Sequence, residues 1–179
     1  MSLQPPRRAP EEERRLIVLY SLHHLAPCNH IQLYQFIAEL EQMDYFDMMF
    51  VLNDLCDQGQ AVRLKRRVGY QYEVTDAGRE VLQLFGNRVP HSLKMLLAET
   101  GASWHARFQE EAQFHHEIIK TEQGETELIL SVVENDSDSL RITIPLPSED
   151  LAHVLAARWR RKGGDIYGTI FRLLMEDSQ

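Results

Sequence analysis

Past Gly59 the apolar residues of this sequence stop repeating at helical spacing and begin to alternate, and no other feature constrains the fold as much. Before that point, Leu33, Phe36, Ile37 and Leu40 form one helical stripe, and Met48, Val51, Leu52 and Leu55 form another. After it, Val62 and Leu64 alternate with Arg63 and Lys65. Beyond Arg66-Arg67-Val68-Gly69, Tyr70, Tyr72 and Val74 alternate with Gln71 and Glu73. That pattern predicts two strands joined by a short basic tip. Asn29 and Asp44 are suited to cap the two helices, a turn over Glu41 to Asp44 separates them, and Gly59 suits the position just past a helix end. An earlier helix is predicted from Glu11 to Leu25, with Glu11–Glu13 at its positive end and Pro27 beyond it. Helix, helix, turn, helix, hairpin is the order of a winged helix-turn-helix. In that arrangement the third helix can enter a major groove while the hairpin tip touches the neighbouring backbone.

The pattern then continues into a second half of different character. Thr75 or Asp76 caps a fourth helix ending near Phe85, Pro90 interrupts the chain, and a fifth helix runs from His91 to Glu111. Strands are predicted over Phe114 to Lys120, Thr126 to Val133 and Leu140 to Ile144, with turns at 122–125 and 135–138, and Pro145 and Pro147 ending the last strand. A helix from Ser148 to about Lys162 is expected to stop at Gly163-Gly164, and a final helix to cover Ile166 to Met175. The expected class is therefore α+β: an N-terminal winged helix-turn-helix, then a small C-terminal domain with a three-stranded antiparallel sheet and two helices. The expected boundaries are a disordered lead-in at 1–10, the winged domain at 11–89, a linking and dimerisation helix at 90–111, and the C-terminal domain at 112–179. Leu93, Leu96, Leu97, Trp104 and Phe108 give the linking helix more apolar surface than one small domain needs, so they are the expected homodimer interface.

Charge narrows the function. The net charge of −8 excludes a broadly basic, nucleic-acid-coating surface and makes the location of positive charge decisive. Arg63, Lys65, Arg66 and Arg67 cluster on the wing, where they can hold DNA phosphates. The competing reading is a solvated hairpin whose charges discourage edge pairing. On the third helix, Tyr45, Phe46, Met49, Phe50 and Asn53 are the candidate contacts with DNA or a partner. No Lys or Arg occurs between Gln32 and Val62, which removes the common arginine–guanine contact, and Asp44, Asp47 and Asp54 would repel phosphates. Met49 and Phe50 are expected to be partly exposed, as at a protein interface. Two functions follow: a dimeric, DNA-binding transcription regulator, or a winged-helix module that holds another protein without binding DNA.

Enzymatic chemistry has little to stand on. There is no G-x-S-x-G, P-loop or dinucleotide fingerprint, so no catalytic residue and no cofactor is expected. Glu110, Glu111 and Glu117 near histidines read as an ordinary charged rim. Cys28 and Cys56 form no C-x-x-C, and the adjacent pairs His23-His24 and His115-His116 diverge on a helix or strand, so no metal site is expected. Arg158, Arg160, Arg161 and Lys162 complement a helix C-terminus, and Trp159 among them is expected to plug that helix onto the sheet. No apolar run is long enough to span a bilayer, and no secretory signal opens the chain, so a cytoplasmic protein without a membrane partner is expected.

Several stretches together resemble one family. They are Leu16-Ile17-Val18-Leu19-Tyr20, Asp44-Tyr45-Phe46, Leu52-Asn53-Asp54-Leu55 with Gly59, Tyr72 to Gly78, Phe85 to Pro90, and Trp159 with Ile166-Tyr167. In this order they are similar to a bacterial family of winged-helix proteins known as domain of unknown function 4364. The resemblance implies a transcription regulator with a C-terminal domain of unassigned role. It implies no catalytic or ligand residues.

Overall fold

The computed structural model of the chain describes residues 10–40 and 43–175. All but Pro10 of the expected lead-in, and the start of the turn at Glu41–Gln42, therefore lie outside the described residues. The molecule is α+β, with six α-helices and five strands among the described residues. It divides into two compact units, the first ending at Phe108 and the second beginning at Gln109.

The first unit is built around α1 (Glu11–Leu25), where Leu16, Ile17, Val18 and Leu19 are buried in succession. A helix buried on more than one stripe must be surrounded. α2 (His30–Ala38) opens with a reciprocal capping box: the Gln32 amide donates to Asn29 Oδ1, and the Asn29 amide donates to Gln32 Oε1, both at 2.9 Å. α3 (Tyr45–Asp57) is capped by Asp44, whose Oδ1 accepts from the Asp47 amide at 2.8 Å. It ends as the sequence predicts. Gly59 takes φ 70°, its amide donates to Cys56 O, and the Gln60 amide donates to Leu55 O at 2.8 Å. β1 (Ala61–Arg66) and β2 (Gly69–Val74) then pair antiparallel, with Ala61 opposite Val74 and Arg66 opposite Gly69. The loop after α1 joins this hairpin, because the Tyr72 amide donates to Cys28 O at 2.8 Å, a link that the sequence does not predict. Cys28 is buried beneath it, and burial pushes its thiol up to about 12.

α4 (Asp76–Phe85) is capped by Thr75, and a 3-10 turn at Gly86–Arg88 leads to α5 (His91–Gln113). Here the structure corrects the expected dimer face. Leu93, Leu97 and Phe108 are buried in the same core as Leu22, Phe36, Met48 and Leu52, and Leu96 and Trp104 pack against it. The Trp104 ring meets Phe36 at 5.9 Å and Phe108 at 5.6 Å. The apolar surface of α5 looks excessive only if the helix stands apart. In fact its own unit consumes that surface, so these five residues are not an open interface.

The second unit has a three-stranded antiparallel sheet in the order β3 (Phe114–Lys120), β4 (Thr126–Glu134), β5 (Ser137–Leu146). The β4–β5 turn is tighter than expected. Asn135 and Asp136 alone make it, with φ of 50° and 62°, the left-handed pair of a two-residue hairpin loop. β5 runs through Pro145, which is tolerated because β5 is an edge strand. The two helices expected after it are one, α6 (Glu149–Met175). Gly163 does not stop a helix. It is required inside one, since a Cβ there would lie 2.6 Å from the Phe114 ring. Ala152, Ala156, Trp159 and Gly163 form the face of α6 that covers Phe114, Leu128, Leu130 and Val132. Among the described residues no helix is long and apolar enough to cross a membrane.

Candidate nucleic-acid interface

At about 100° per residue, α3 presents four distinct faces. Met48, Val51, Leu52 and Leu55 are buried on one. Directly opposite, Phe46, Phe50, Asn53 and Asp57 form an exposed stripe. Phe46 is 81% and Phe50 69% exposed, so two large aromatic side chains one turn apart stand in solvent. On one flank, Tyr45, Met49 and Cys56 are half-buried. Tyr45 is turned toward α2, its ring 5.4 Å from Tyr34 and 6.1 Å from His30. Met49 packs against the core. Met49 is partly exposed, as expected, and Phe50 more so, but the most exposed apolar residue of α3 is Phe46. A period-based reading places all three outside the buried stripe but cannot see that Met49 alone has core neighbours on its flank.

The other flank holds Asp47 and Asp54, seven residues apart on one side of α3. Their partners come from α1. Arg14 Nη1 lies 3.1 Å from Asp47 Oδ1, with both side chains largely covered. Arg15 pairs with Asp54 and also donates to Gln58 Oε1 at 2.7 Å. Two of the three acidic residues that would oppose a phosphate backbone are thus neutralised in pairs, in partly desolvated surroundings where such pairs count for more than on open surface, while Asp44 stays exposed as the cap of α3. Arg14 and Arg15 do not stand out in the sequence. The available signal is two adjacent cations on α1 and two carboxylates seven apart on α3, which becomes meaningful only once the helices are known to pack.

The hairpin beside α3 carries the four cations expected on the wing. Arg63 and Lys65 alternate onto one face and are exposed. Arg63 lies over the Tyr70 ring at 4.9 Å, a diagonal cross-strand contact that holds the guanidinium in place. Arg66 is exposed on the opposite face, 3.0 Å from Glu73 Oε1. Arg67 occupies the turn and is half-buried. Three of the four predicted wing residues are therefore open to solvent, split between two faces, with one of them paired to a carboxylate.

Among the described residues no group of three or more His, Cys, Asp or Glu side chains comes together to hold an ion. His24 and His116 are held below the usual imidazole range, chiefly by burial. Both therefore carry little charge at neutral pH.

A family model described as Domain of unknown function (DUF4364) matches residues 14–174, which includes α1 to α6 except for the edges of the first and last helices. No curated protein and no solved structure matches the chain.

Proposed function

The chain belongs to the DUF4364 family, and from that premise we propose that it is a winged-helix, DNA-binding transcription regulator acting as a dimer. α2 and α3 are the helix-turn-helix, α3 is the recognition helix, and the β1–β2 hairpin is the wing. The observation that carries the reading is the pairing of Asp47 and Asp54 with Arg14 and Arg15. It lessens the electrostatic objection to α3 in a groove, by two of three carboxylates, and leaves Phe46, Phe50 and Asn53 facing outward, next to a hairpin bearing exposed Arg63 and Lys65. In a groove-bound helix of this type the N-terminal residues meet the base edges, which is where Phe46 and Phe50 lie.

Phosphate contact has a direct signature. The affinity of the protein for duplex DNA, measured across a salt series, is expected to fall linearly on logarithmic axes. Replacing both Arg63 and Lys65 by Ala is expected to reduce that slope by about 2, one for each phosphate no longer neutralised. A slope identical to that of the parent protein would remove the wing from the interface.

A dimer would present two copies of α3 to paired half-sites. With α5 committed to its own core, the contact with a second copy is placed on the C-terminal half of α6. There the stripe that covers the sheet continues past Gly163 through Ile166, Leu173 and Leu174, and these residues are exposed. A self-complementary contact of that stripe with its symmetry mate fits an isologous dimer. Changing Leu173 and Leu174 to Ser is expected to convert dimer to monomer in light scattering. An unchanged mass would place the interface elsewhere.

The second reading is a protein-contact module without DNA binding. The 81% and 69% exposures of Phe46 and Phe50 favour it, because exposed aromatic pairs are typical anchors of protein interfaces. The salt series separates the two, since a protein-contact module would leave the duplex unbound.

A further inference from the structure

We infer that the outward stripe of α3 reads A·T base pairs, through the thymine C5 methyl at Phe46 and Phe50 and the adenine edge at Asn53. The inference rests on the DNA-binding reading above and adds to it the class of sequence recognised.

One face of α3 carries a restricted set of side chains, and that set limits which bases it can meet. A major groove offers four kinds of edge chemistry: acceptor pairs on guanine, a donor on cytosine, an acceptor–donor pair on adenine, and an acceptor with a methyl group on thymine. Guanine is read by arginine or lysine. α3 has neither, and Arg14 and Arg15 beside it are engaged by Asp47 and Asp54. Cytosine is read by a carboxylate. The one carboxylate on the outward stripe is Asp57, the last residue of α3, at the end remote from the base edges in this docking mode. What remains on the stripe ahead of Asp57 is Phe46 and Phe50 in the first two turns and Asn53 in the third. A phenylalanine ring matches the thymine methyl, and an asparagine amide matches adenine N7 and N6 in two hydrogen bonds.

The spacing agrees. Phe46 and Phe50 are four residues apart, about 6 Å along the helix axis, close to two steps of ~3.4 Å along a DNA strand. Asn53 follows one turn later, within the same narrow stripe. Both rings are exposed, so they can meet thymine methyl groups without any rearrangement of the core. Covering them in this way buries apolar surface that the free protein leaves in water.

The test begins with the full chain and a pool of random duplexes, from which bound sequences are recovered. The expected result is a core of A·T pairs. The best duplex is then remade with deoxyuridine at every thymidine, which removes the C5 methyl and leaves the base pairing unchanged. Binding is expected to weaken about ten-fold, within the range of one good base contact. Phe46→Ala with Phe50→Ala is expected to bind the thymine and uracil duplexes alike, and Asn53→Ala to lose its preference at a single adenine position. Thermal unfolding of these variants, whose side chains lie outside the core, checks that the fold is intact. A recovered core of G·C pairs, equal binding to both duplexes by the parent protein, or undiminished discrimination by the double variant would each overturn the inference while leaving DNA binding in place. Recovery of no duplex at low salt would overturn both.

Discussion

A Gly78→Ala protein is expected to lose about 3 kcal/mol of folding stability or more, from the addition of one methyl group. A Cβ at this position would lie 2.1 Å from the backbone oxygen of Gln60 and 2.7 Å from Val74 Cγ1. Overpacking usually costs about 1–3 kcal/mol when side chains can yield. Here the obstacle is backbone, and that backbone is tied. Gln60 O accepts from the Thr75 amide at 3.1 Å. The Thr75 hydroxyl donates to Gly59 O at 2.5 Å and accepts from the Gly78 amide at 3.2 Å. The start of α4 therefore crosses the start of β1 at a point where neither can move without undoing the cap of α4 or the exit from α3. Because the whole protein is expected to be stable by only ~5–15 kcal/mol, the effect is large. It is read as the shift in urea midpoint at constant slope. A loss below about 1 kcal/mol would mean that the crossing is looser than this geometry.

The second large effect lies in the other unit. Trp159→Ala is expected to cost about 3–5 kcal/mol, the usual range for removing a buried tryptophan. The ring is 1% exposed, stands edge-on to Phe114 at a centroid distance of 5.9 Å, and fills the space between α6 and the sheet. Its Nε1–H also donates to the backbone oxygen of His115 at 3.0 Å. The two contributions separate with Trp159→Phe. That change keeps most of the apolar volume but leaves the His115 oxygen without this donor, so it is expected to cost roughly 1–3 kcal/mol, less than the alanine change. Equal losses in the two variants would mean that the hydrogen bond, not the packing, holds α6 in place.

Much of the element order was legible because local rules govern it. The caps at Asn29, Asp44 and Thr75, the glycine exit at Gly59 and the basic hairpin tip each depend on residues within a few positions of one another. Gly163-Gly164 misled for the same reason. Two adjacent glycines are a good local stop signal, but Gly163 answers to Phe114 on β3, in a distant part of the chain. The candidate interface was half legible. Charge on the hairpin and the lack of cations on α3 could be read directly, whereas the exposure of Phe46 over Met49 depended on what packs against each flank.

Periodicity and capping chemistry, acting over one or two turns, were enough to specify α3 and the β-ribbon after it, along with the side chains each carries. Which faces those elements show to solvent was decided by contacts between distant segments. Arg15 meets Asp54 where α1 packs on α3, and Trp104 meets Phe36 to draw α5 into the core. An apolar or charged stripe records that a partner is needed but not which one. Only the folded chain, by bringing residues dozens of positions apart within a few ångströms, selects it.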